Sequence, residues 1–100
     1  MIFELINRPL VYTDVISATQ YYLKISHSLA DEFLLQLDDA NDFITENPLA
    51  VDVMYLNVRM HKLEQFPYHI HYIIDDVNSQ IVVLAVAFAK MGNLDFTDRL

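Results

Sequence analysis

The chain has no cysteine, one glycine and three prolines, and it is short of cations: six Lys and Arg stand against fourteen Asp and Glu, a formal charge of −8 over 100 residues. Without cysteine there is no disulfide framework, thiolate nucleophile or zinc knuckle, and nothing calls for an oxidising compartment. A lone glycine, Gly92, cannot build a loop that cradles phosphate, so P-loop and dinucleotide-binding readings fall. The cation shortage works against anionic membranes and phosphate backbones, since such binding is driven by cations that displace counterions. Direct binding of free nucleic acid is therefore not expected. The longest uncharged apolar run, Ile81–Ala89, is nine residues, about half the length that crosses a bilayer. Met1–Leu10 carries Glu4 and Arg8 where a secretory signal would be apolar. A cytoplasmic protein with no membrane partner is the expectation.

Apolar residues make up 54% of the chain, enough to offset the ordering entropy of one globular domain spanning residues 1–100. The hydrophobic period changes near the middle, dividing helix from sheet. Ile2–Ile6 suits a short opening strand, and Pro9 suits the first turn of a helix. Val11, Val15, Ile16, Ala18, Thr19, Tyr22 and Leu23 then recur at helical spacing to about Ile25. Ser28, with Asp31 three residues on, is a candidate N-cap for a second helix. Its stripe of Leu29, Phe33, Leu37, Ala40 and Ile44 runs to Asn47-Pro48, where proline disfavours helix. A connection of only a few residues predicts an antiparallel pair sharing one core. Asp31, Glu32, Asp38, Asp39, Asp42 and Glu46 line the second helix, with no Lys or Arg between Ile25 and Val58. Such a run reads as a solvated face or as a docking surface for a basic segment.

Beyond Pro48 the period becomes two. Phe66–Ile74 places large side chains at alternate positions, with Pro67 at the strand's start. Asn78-Ser79 suits a hairpin turn, and Ile81–Ala89, apolar on both faces, reads as the central strand. Leu56–Leu63 is read as a further strand. The predicted fold is α+β, an N-terminal helical hairpin packed on a twisted antiparallel sheet.

Candidate chemistry is sparse. His69 and His71, two apart on a strand, share a face with room for His61 beside them, but no Cys or placed carboxylate completes a zinc site. Neither a metal nor another cofactor is expected. Ser17, Ser26, Ser28 and Ser79 lack a nucleophile-elbow glycine pattern. Asp38 and Asp42 are more cheaply explained by solvation than by acid–base work, and conventional hydrolase chemistry is unsupported. The scarce cations say more. Arg59, with His69, His71 and Tyr72, could form a groove that stabilises a phosphoryl transition state and moves a proton; ion pairing of Arg59 with a nearby acid explains the same residue.

A set of residues in order then resembles the RelE/ParE family of toxins from bacterial type II toxin–antitoxin systems. It comprises Asp14, Tyr21-Tyr22, Leu29-Ala30-Asp31, Phe33, Glu46-Asn47-Pro48, Val58-Arg59, Leu63, Phe66-Pro67-Tyr68, Ile70 and Tyr72. The resemblance implies a helical hairpin on an antiparallel sheet and a cognate antitoxin whose peptide wraps and blocks the chain, as in plasmid-stabilisation modules. It also implies one of two activities, inhibition of gyrase or ribosome-dependent cleavage of mRNA. Under the second, Arg59 and Lys90 would hold the scissile phosphate, and Tyr72 or a histidine would carry the proton. Where the family commonly has His, Arg, Pro and Trp after the last strand, this chain has Phe88, Met91, Asn93 and Phe96. An imidazole and a guanidinium are thereby missing, and the alternative is a catalytically degenerate interaction module of the same fold.

Overall fold

A computed structural model describes residues 2–91 and 95–100. Strand β1 (Glu4–Asn7) leads into helices α1 (Pro9–Leu23) and α2 (His27–Glu46). Four strands follow: β2 (Val53–Tyr55), β3 (Val58–Lys62), β4 (Tyr68–Asp75) and β5 (Gln80–Phe88). Short 3-10 turns cover Ala89–Met91 and Thr97–Arg99. The helical pair and the strand-rich second half match the expectation.

Pro9 sits in the first turn of α1, where its missing N–H costs nothing. The N-cap of α2 is Ser26 and not Ser28: the Ser26 hydroxyl accepts the Leu29 N–H at 3.0 Å. Ser26 is extended while Ser28 already lies inside the helix, so only Ser26 can reach the orphan amides of the first turn.

The sheet order is β1-β5-β4-β3-β2. The three pairings among β2 to β5 are antiparallel, but β1 joins β5 in parallel, so the sheet is mixed where a purely antiparallel one was expected. Both helices lie between β1 and the rest of the sheet in sequence, and this long connection permits a parallel pairing that no turn signal could announce. β5 is interior, flanked by β1 and β4, while β4 occupies the middle of the order. The strand read over Leu56–Leu63 is β3, and the three-residue β2 ahead of it was not anticipated. Leu56, between β2 and β3, and Ser79, before β5, have φ of 47° and 52°. A side-chain-bearing residue at such angles costs about 1–2 kcal/mol, which the surrounding pairing must offset.

Both helices pack on one face of the sheet. Val11, Ala18 and Tyr22 of α1 and Ala30, Phe33, Leu37, Ala40 and Ile44 of α2 bury against Ile70, Tyr72, Ile81, Val83 and Val86. The α2 stripe is as expected. That of α1 is narrower, because Ile16 and Leu23 are exposed. At the centre, the Phe33 ring lies 5.3 to 5.4 Å from those of Tyr22, Phe66 and Tyr68. The opposite face carries a smaller cluster, Val58, Val82 and Leu84, with Tyr55, Ile73 and Phe96 packed beside it.

Phe33→Ala should cost about 3–5 kcal/mol in chemical denaturation, because its ring is wholly buried in that cluster. Ser26→Ala should cost about 1 kcal/mol, with Ser28→Ala within about 0.5 kcal/mol of wild type.

Candidate functional site

Arg59, Tyr72 and Lys90 are not assembled into one site. Arg59 and Tyr72 are direct cross-strand partners on β3 and β4, so both lie on the helix-facing side. Tyr72 is 1% exposed, and its hydroxyl donates to the Pro48 carbonyl at 2.8 Å. Burial pushes its pKa up despite the opposing pull of Arg59, which favours the protonated phenol that holds this bond. Lys90 is exposed in the turn after β5. The partner of Tyr72 on β5 is Val83; from there to Phe88 the strand runs on for about 16 Å before that turn begins.

Arg59 is half-buried, and its Nη1 donates to the Val51 carbonyl. With Tyr72 it ties the segment after α2 to the sheet. Among the described residues it has no carboxylate partner, since the one ion pair joins Asp14 and Arg99. Arg59 also lines a hollow of about 320 Å³ with Phe3, Pro48, Leu49, Ile74 and Asp76. It therefore combines a structural contact with a place on an open cavity.

The groove expected from Arg59, His69, His71 and Tyr72 does not form. Successive strand residues face opposite ways, so His69 and His71 lie on the sheet face away from Arg59 and Tyr72. Nor are the strand histidines solvent-facing: His71 is 5% exposed and His61 and His69 are half-buried. No group of three His, Asp or Glu side chains among the described residues is placed to hold a metal ion.

The second half of the region is a chain of contacts that sequence reasoning missed. His71 Nδ1 shares a hydrogen bond with the Tyr55 hydroxyl at 3.0 Å, and that hydroxyl also accepts the Phe96 N–H at 3.3 Å. The Phe96 ring meets His71 edge-on at 4.9 Å, and the Arg99 guanidinium lies 4.9 Å from the centre of the Phe96 ring. Arg99 then reaches round the sheet to Asp14 of α1, with Nη1 to Oδ2 at 2.7 Å and Nη2 to Oδ1 at 3.3 Å.

This bidentate pair serves the backbone as well. β1 covers β5 only as far as Val83. Beyond it, Arg99 Nη1 donates to the Leu84 carbonyl at 3.1 Å and Asp14 Oδ2 accepts the Val86 N–H at 3.1 Å. Two edge groups that would otherwise lack partners are thus satisfied. Asp14 is the one charged residue of α1, a signal legible in the sequence that a structural partner was waiting for it.

Of the positions that differ from the motif pattern the sequence resembles, Phe88 meets Tyr68 edge-on at 5.5 Å and Phe96 fills the site just described. Gly92 and Asn93, and the side chain of Met91, lie outside the described residues.

With this geometry in place, the comparisons divide. No protein-family model matches the chain, and no curated protein does. Among solved structures, a chain from the "Chromosomal ParDE TA system from P. aeruginosa" matches with a TM-score of 0.77, over 89% of this chain and 98% of that one. The fold is the same. At 14% identity the likeness lies in backbone arrangement, which agrees with the architecture implied by the sequence resemblance. No helix among the described residues is long and apolar enough to cross a membrane.

Burial, then the neighbouring His69 and Arg99, hold the His71 pKa at about 4 against an ordinary 6.5. As pH falls the unfolded chain takes up this proton first. The contribution is therefore intact above about pH 6.5 and is lost between about 6.5 and 4, amounting to at most about 3 kcal/mol. Denaturation of wild type and His71→Gln across that window should show the variant with the shallower loss of stability.

Proposed function

We propose that this chain is a toxin-like component of a two-protein toxin–antitoxin module, kept in check by a cognate antitoxin. The observation that carries the reading is the fold shared with a chain of the ParDE structure over nearly its full length. Arg59 supports it as the functional cation: it opens on a hollow and forms no ion pair among the described residues.

The mode of action that fits best is binding and inhibition of a protein target such as gyrase. RNA cleavage needs a phosphate clamp and a proton carrier within reach of one another. Here Tyr72 is sealed beneath the helices, Lys90 sits past the far end of β5, and His69 and His71 lie across the sheet from Arg59. A net charge of −8 also opposes approach to RNA and ribosome, whereas a protein target can present a complementary surface. A second reading, an interaction module that has lost toxicity, draws on Arg99: this cation near the end of the chain is consumed by Asp14 and the β5 edge.

Expression of the chain alone in a bacterial host decides between them. Arrest of growth is expected, relieved by Arg59→Ala at equal soluble expression, with loss of DNA supercoiling and intact mRNA. Unaffected growth would overturn the toxin reading in favour of the interaction module. Cleaved mRNA would overturn the choice of a protein target.

A further inference from the structure

The α2 stripe needs only Leu29, Phe33, Leu37, Ala40 and Ile44 to cover the core, yet Leu35 and Phe43 are also apolar and remain exposed. They line a groove of about 430 Å³ between α2 and the segment that runs from β3 through Glu64. Its floor includes Leu35, Ala40, Phe43 and Leu63. The Phe43 and His61 rings lie 5.3 Å apart, and the Gln36–Gln65 hydrogen bond at 2.7 Å links the two walls. A hollow of that volume can take one or two large apolar side chains.

Its rim is acidic. Glu32, Asp39 and Glu64 line the groove against a single cation, Lys62. Asp31, Asp38, Asp42 and Glu46 extend the negative field along α2, which has no Lys or Arg of its own. Among the described residues none of these carboxylates forms an ion pair. His61 also lines the groove, with its Nδ1 buried beneath the surface. Apolar lining and a rim of net negative charge together describe one half of an interface.

We propose that this groove docks a basic amphipathic segment of a partner protein, with apolar side chains against Leu35, Phe43 and Leu63 and flanking Lys or Arg against Glu32, Asp39 and Glu64. The proposal rests on the reading above that the chain works with a protein partner, and it specifies where that partner sits and its charge. The exposed Tyr12 and Ile16 of α1 offer apolar contact, but the acid of that helix, Asp14, is already paired with Arg99, so the charge pattern selects the α2 groove. Burial in the complex strengthens the rim pairs relative to exposed ones, while leaving association sensitive to salt.

The probe is a synthetic amphipathic peptide of leucine and lysine, about sixteen residues long, with a control in which every lysine is glutamate. Both are titrated into the full chain by calorimetry and amide chemical-shift mapping. The lysine peptide should bind and weaken steeply as salt rises. Its shift changes should centre on residues 32–43 and 61–64, and the glutamate peptide should not bind. Phe43→Ser and the triple variant Glu32→Lys, Asp39→Lys, Glu64→Lys, all at exposed positions, should each weaken binding by about tenfold or more, with thermal melts confirming the fold. Equal binding of the two peptides, shifts centred on α1, or unchanged affinity in both variants would overturn the proposal. Growth arrest without groove binding removes the groove and leaves the toxin reading. Groove binding without arrest does the reverse.

Discussion

The packing of four aromatic rings at the junction of both helices and the sheet is the contact on which the rest depends. Tyr22 lies in the last turn of α1, Phe33 in the second turn of α2, and Phe66 and Tyr68 bracket the proline just before β4. Each ring meets others edge-on or tilted at 4.9 to 6.1 Å, the geometry in which their quadrupoles attract. Because these rings are drawn from elements distant in sequence, they fix the helical hairpin over one end of the sheet. The Arg59 hollow and the α2 groove are then defined by what the hairpin leaves uncovered.

The electrostatic design follows from having so few cations. Arg99 is bound to Asp14 and to the edge of β5, and Arg59 is bound to the carbonyl of Val51 while facing a cavity. Six of the fourteen carboxylates, by contrast, lie in solvent along α2. A surface of one sign repels its own kind and slows encounter with acidic partners, so the chain's chemistry favours partners that bring positive charge. The groove beside α2 meets that condition with apolar depth as well as charge.

Much of the fold was legible because two periods carry it. The 3–4 spacing of Leu29, Phe33, Leu37, Ala40 and Ile44 marks α2, and the alternation through Tyr68, Ile70 and Tyr72 marks β4. The parallel pairing of β1 was invisible, since register across so long a connection leaves no local trace. β2 escaped because Val53–Tyr55 is too short and too exposed to show alternation. Alternation did separate His71 from Tyr72, and treating them as one groove overlooked it. The burial of His71 could not be foreseen: it depends on Phe96, brought back across the sheet by an ion pair between residues 85 positions apart. Leu35 and Phe43 were legible as apolar residues surplus to the helical stripe.

The parallel union of β1 with β5 also bears on how the chain is made. Leu5 pairs with Ile81 and Ile6 with Val82, so the first strand must wait for nearly the last to emerge. Folding that depends on such distant partners is slow and strongly cooperative with the final segment. A nascent or truncated chain ending before Gln80 lacks β5 together with the docking edge for β1. The completed surface thus exists only once β5 has been made, and synthesis up to that point sets a delay before any neighbour can be engaged.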